Sequence, residues 1–179
     1  AGRKDLIQPP KLKPVKALKL PAIKRAKLAN GLDVLLLAER DLPLVSMQLL
    51  LPVGSIDEPA RKIGLSPFVS SMLRQGVKGQ TADEMSMEVD AAGVSLSAGS
   101  GYELSRISCG GRSQYLDLCL QKVSALVTSP TFPAGEMQEV QDDLKGSVKQ
   151  LRDKPSSLAQ AHLSNMLYGD DRPAGRPLT

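Results

Sequence analysis

The sequence holds no tryptophan, only two phenylalanines and three tyrosines in 179 residues, and no aromatic residue before Phe68. A surface that stacks bases on aromatic rings is thereby excluded from the N-terminal third, basic though that third is. Histidine occurs once, as His162. A single histidine on a late helical stretch reads as a surface or packed residue rather than a metal ligand. The two cysteines, Cys109 and Cys119, are too few for a disulfide framework. Cys109 shares a strand face with Ile107, and Cys119 a helix face with Leu116, Leu120 and Val123. Both should point inward, either as buried thiols behaving as small hydrophobes or, in an oxidising compartment, as a bridge. The first of these is the expectation. No apolar run approaches the roughly 18 residues needed to span a bilayer. No signal peptide is legible from Ala1, although a mature start would hide one. Location is therefore open, with export, for example to a periplasm, the favoured side. Glycines 99, 101, 110 and 111 read as turn residues, and no Gly-rich loop of phosphate-binding length, haem motif or iron–sulfur motif occurs.

What is present is enough for one domain with a core: 179 residues, 41% of them hydrophobic. The net charge of +4 is unevenly spread. Residues 1–27 carry nine Lys/Arg against one acid, a balance of +8, while the remainder carries 14 basic and 18 acidic residues, a balance of −4. Four prolines (Pro9, Pro10, Pro14, Pro21) punctuate residues 1–22, which should form an extended basic arm, either solvated or laid along another surface. Residues 23–179 form the expected domain.

Along that domain, residues 22–28 and 32–38 read as two strands joined at Asn30-Gly31, a pair suited to a type I′ turn. The run Val34-Leu35-Leu36-Leu37 suggests burial on both faces. Residues 45–52 make a third strand, and 56–63 a polar loop. Thr81-Ala82-Asp83-Glu84 is a capping box opening a helix with Met85, Val89 and Ala92 on its buried stripe. Two more strands, 94–98 and 104–109, lead to a helix over 115–127. A long helix from Pro133 to Arg152 and a last one from Pro155 to Tyr168 follow, each with proline at its start. Strand runs and helix runs are segregated, which predicts an α+β fold: a mainly antiparallel sheet with helices packed on one face.

The stretch from Gly64 to Gly76 sits at the centre of this order. Ser66 is a suitable N-cap, Pro67 suits the first helical position, and Gly76 suits a left-handed stop. Leu65, Phe68, Val69, Met72 and Leu73 fall at helical spacing, so one face should be buried. The stretch resembles the zinc-binding helix of the insulinase-like (M16) metallopeptidases, whose pattern is G-x-x-H-x-x-E-H-x-x-x-x-G. Other pieces agree in order: Leu28-Ala29-Asn30-Gly31-Leu32, Val53-Gly54-Ser55-Ile56-Asp57-Glu58, Pro130-Thr131-Phe132, Asp153-Lys154-Pro155, and Tyr168-Gly169 through Gly175-Arg176-Pro177.

The resemblance implies the M16 fold, shared with LuxS-like metallohydrolases, and a subunit of two related halves of which this chain would be an incomplete N-terminal one. It also implies that the chemistry has been lost. Pro67 and Ser71 stand where two histidine ligands would be, Ser70 where the catalytic glutamate would be, and Ser147 where the third ligand would be. None of these offers an imidazole or carboxylate, so neither catalysis nor a metal is expected of this chain, and zinc is expected only in an active partner. Val94, Ser95, Ser97 and Ala98 lie on the strand that pairs with substrate in the family, which makes them the candidates for contact with an extended peptide. The implied role is a non-catalytic subunit that gives chamber wall and peptide contact to an active M16 subunit, with no nucleic acid and no transmembrane segment. The alternative is a purely structural subunit of a larger assembly, as the family's core proteins are. Asp142-Asp143 and Asp170-Asp171 read as solvated carboxylates, because adjacent helical residues do not face each other.

Overall fold

The computed structural model describes residues 21–176. All but the last two residues of the basic arm lie outside them, as does Pro177. The described residues divide into two compact units, one ending at Leu42 and the other beginning at Pro43.

In the first unit, β1 (Ile23–Lys27) and β2 (Asp33–Leu37) pair antiparallel, with Ala26 opposite Val34. The hairpin falls where Asn30-Gly31 places it, but the turn differs. Only Gly31 takes a positive φ (+89°), and the Leu28 carbonyl accepts from the Gly31 N–H at 2.9 Å. The loop is thus a longer one closed by a left-handed glycine, with the Asn30 Oδ1 accepting from the Leu32 N–H. The expected two-sided burial is corrected: Leu35, Leu36 and Leu37 are 67, 55 and 54% exposed. A two-stranded ribbon covers neither of its own faces.

In the second unit, β3 (Leu44–Leu51), β6 (Ser95–Ser100) and β7 (Ser105–Arg112) form an antiparallel sheet in the order β3-β7-β6. Its register aligns Met47, Cys109 and Leu96 across the three strands, and Leu49, Ile107 and Ala98 in the next row. These rows face the helices, while Ser46, Gln48, Ser95 and Ser97 are exposed on the other side, the alternation of a one-sided sheet. Against the apolar rows pack α2 (Ala82–Ala91) through Met85 and Val89, and α3 (Leu116–Thr128) through Cys119, Val123 and Leu126. The α2 cap is as expected: the Glu84 N–H donates to Thr81 Oγ1, and the Thr81 N–H to Glu84 Oε2. Two strands of two residues, β4 (Gly76–Val77) and β5 (Gln80–Thr81), were not legible; β4 is further tied to the 129–131 segment through a bridge from Val77 to Pro130.

The helices α4 (Ala134–Arg152) and α5 (Pro155–Tyr168) follow the sequence pattern closely. Both cysteines point inward as expected, but as free thiols they are corrected. Cys109 in the middle of β7 and Cys119 in the first turn of α3 lie 5.5 Å apart at Cα and form a disulfide. The layout is α+β with antiparallel sheets, as the segregated pattern implied.

Candidate functional site

The helix singled out by the sequence is α1 (Leu65–Met72). It starts two residues earlier than the Ser66 cap would place it, with Gly64 as N-cap at φ +89°. The reason lies upstream. The buried Glu58 carboxylate accepts from the Gly64 N–H at 2.9 Å and from the Ser66 N–H at 2.6 Å. An anion from outside the helix thus satisfies the free amides of its first turn and suits the positive end of its dipole. Pro67 then occupies the third helical position, still within the turn where no N–H is needed. The buried edge is also shifted from the expectation: Ser70 and Met72 are buried, Phe68 and Leu73 half-buried, and Leu65 and Val69 exposed.

Pro67, Ser70 and Ser71 stand at spacing i, i+3 and i+4, so they share one face of α1. Ser70 is buried, and Pro67 and Ser71 are half-buried. Ser147 is exposed on α4, the helix that packs against α1, between the half-buried Leu144 and Val148. These four residues present three hydroxyls and a pyrrolidine ring. That donor set does not fit zinc, which takes imidazole, thiolate or carboxylate. Among the described residues no group of three or more His, Cys, Asp and Glu is placed to hold a metal ion. His162 is exposed on α5, and Asp142 is exposed on α4, hydrogen-bonded to Gln138 and Lys145 of its own helix. The cavities of about 930, 570 and 930 Å³ in this unit are lined by none of the four residues.

The Glu58 loop is held from the far end of the chain. Arg176 Nη1 donates to the Glu58 carbonyl at 3.1 Å. Arg176 is presented by a 3₁₀ turn, Pro173–Gly175, fixed to the end of α5 by Asn165 Nδ2 donating to the Gly175 carbonyl at 2.8 Å. Gly175 is buried against the Gly169 backbone so closely that a Cβ would collide with it. Residues of two sequence signatures, one near position 58 and one near position 176, therefore form one structural latch. Sequence reasoning identified both signatures but not that they touch.

Beside α1 runs β6, which pairs only with β7 among the described residues and so leaves one edge open. The Gly101 N–H donates to the Leu104 carbonyl at the hairpin end, which sets the alternation along the pair. Residues 95, 97 and 99 exchange bonds with β7; Leu96, Ala98 and Ser100 direct their N–H and C=O groups to the open side. Of the four contact candidates, Ala98 is thus the one whose main chain is free. Ser95 and Ser97 expose their side chains on the outer face, where Ser95 Oγ donates to the Gly110 carbonyl. Val94 is buried before the strand, its N–H donating to the Val89 carbonyl.

Among the described residues the one buried cation is Lys122, on α3. It donates to Gln80 Oε1 at 2.7 Å and to Glu88 Oε2 at 2.5 Å. Gln80 Nε2 also donates to Glu88 Oε2 at 2.7 Å, and the two bonds onto Glu88, that from Lys122 first and that from Gln80 second, hold its carboxyl below its usual range. The trio joins α3 to α2 and β5 and is distant in sequence from the α1 face. No helix among the described residues is long and apolar enough to cross a membrane.

The solved structure of a peptidase M16 inactive domain from Pseudomonas fluorescens is similar at a TM-score of 0.75 and 23% identity, over 86% of this chain and 37% of that one. A protease from Helicobacter pylori is similar at a TM-score of 0.75 and 20% identity, over 82% of this chain and 35% of that one. The chain spans little more than a third of the length of these two structures. No curated protein matches. The model of the family described as Insulinase (Peptidase family M16) matches residues 34–178, from β2 through α1, the open strand and both halves of the latch. That match covers most of the sequence, and by it the chain belongs to the insulinase family of peptidases, M16.

Proposed function

We propose that this chain is the N-terminal domain of a non-catalytic M16 protein. It contributes chamber wall and peptide contact to a partner subunit that carries the zinc and its H-x-x-E-H residues, and residues 1–22 form an arm outside the domain. The observation that carries this reading is the pairing of two features on one side of the fold. The helix face of Pro67, Ser70 and Ser71 offers no zinc ligand, while the neighbouring β6 keeps an open edge with three residues' main-chain groups directed outward. An extended peptide adds to such an edge by main-chain hydrogen bonds, which need no catalytic side chain. The Pseudomonas fluorescens neighbour, described as an inactive domain, supports the same direction.

Titration of a labelled unfolded peptide against the chain and its complex with a zinc-bearing M16 subunit tests this. Ala98→Pro is the discriminating variant. The Ala98 N–H faces the open edge, so proline removes a donor offered to the peptide without removing a bond to β7. Binding to the complex that Ala98→Pro weakens supports peptide contact. No binding in either setting, together with copurification in a membrane complex, supports the purely structural subunit instead. Metal analysis after dialysis supplies a second check, with less than stoichiometric zinc expected. Even Pro67→His, Ser70→Glu, Ser71→His and Ser147→Glu combined need not restore activity, since the partners that orient metal ligands must be present too.

A further inference from the structure

The Cys109–Cys119 bridge lies in the middle of the core. Cys109 is 2% exposed and Cys119 is wholly buried, and both belong to the cluster formed by Leu96, Ile107, Val123 and Leu126. Thiol–disulfide exchange requires a thiolate to reach a sulfur atom, and in the folded chain neither sulfur is reachable. The bridge must therefore form while β7 and α3 are still open to solvent. Its formation joins the two Sγ atoms and releases two protons and two electrons. These pass to an oxidised dithiol carrier, whose own S–S bond opens to two thiols. Such a carrier must be at work in the compartment where the chain folds, and cytosolic thiol pools hold cysteines reduced.

We propose that this chain folds in an oxidising compartment, after export, and that Cys109–Cys119 is a permanent staple between sheet and helix layer rather than a redox switch. The peptide-contact reading rests on the open edge of β6 and not on this bridge.

The full chain is produced by two routes, one exported to an oxidising compartment and one kept in a reducing cytosol. Thiols are counted by maleimide alkylation and intact mass. The exported protein is expected to take no label in denaturant until a reductant is added. In the folded state it should keep the bridge in excess dithiothreitol, and lose it when denaturant is present. The cytosolic product, with two free thiols, should melt about 5–10 °C lower or fail to fold, since it lacks a cross-link closing a short loop. Two thiols labelled in the exported protein in denaturant, with no reductant added, would overturn the proposal. So would a cytosolic product that melts at the same temperature as the exported one, or rapid reduction of the folded protein without denaturant. Should the cytosolic product be insoluble, refolding the reduced, denatured chain with and without a glutathione redox pair gives the same comparison. Equal recovery and equal melting in the two buffers then count against the idea, and recovery that needs the oxidised component counts for it.

Discussion

Glu58 shows how one side chain can settle where a helix begins. Its carboxylate is buried and accepts from two amides of α1, so removing it strands both donors and the start of the helix loosens. Glu58→Ala is expected to cost about 1–3 kcal/mol in denaturant unfolding, and Glu58→Gln less, since the amide keeps one acceptor. The pair Glu88–Lys122 gives a second expectation at this scale. The folded-state pKa of Glu88 is depressed, so its contribution is present above the unfolded pKa and lost as pH falls through the folded one. Acidification below about pH 4.5 should therefore erode stability in the native chain. Glu88→Gln should flatten that part of the profile, read from melting temperature against pH. Glu88 is nearly half exposed, which keeps the size of the effect small. Neither pair was visible in the sequence. Glu58 reaches amides six and eight positions away across a loop, and Lys122 finds Glu88 and Gln80 only because α3 lies along α2.

Elements were far more legible than contacts where one local rule fixed them. Thr81 and Glu84 form the capping box the sequence spells out, and Thr81→Ala is expected to cost about 1 kcal/mol, measured by thermal or urea unfolding. Proline set the starts of α4 and α5, and the 3.6-residue spacing of Met137, Val140, Leu144, Val148 and Leu151 set the length of α4. Local rules failed where a distant group replaced a local one. Ser66 had every property of an N-cap, yet Glu58 took that role and moved the helix start. The run from Leu35 to Leu37 read as doubly buried because apolar content marks a preference for burial and does not supply a covering layer. Strands β4 and β5 have two residues each, too short to carry a period. At the candidate site, the shared face of Pro67, Ser70 and Ser71 followed from spacing alone. Which of the β6 residues offer free main-chain groups depended on the pairing register, and that is set by the hairpin end at Gly101 and Leu104.

For the whole molecule, the sheet order β3-β7-β6 leaves both outer strands unpaired among the described residues. On β3, Leu44 and Leu50 are exposed beside that open edge. Such edges pair with other chains, so the isolated protein is expected to associate as its concentration rises. Sedimentation measurements should show this, and Leu50→Lys should reduce it while leaving the helix-facing rows intact; concentration-independent monomers would refute it. The latch between Glu58 and Arg176 has a kinetic consequence. Its two residues are 118 positions apart, so its closure carries a large loop entropy and cannot precede the sheet and helices between them. The amide protons of Gly64 and Ser66 are then clocks for the end of folding. In pulse-labelled hydrogen exchange they should gain protection after those of β7, and Arg176→Ala should make them exchange faster in the native state without changing the rate at which the sheet forms.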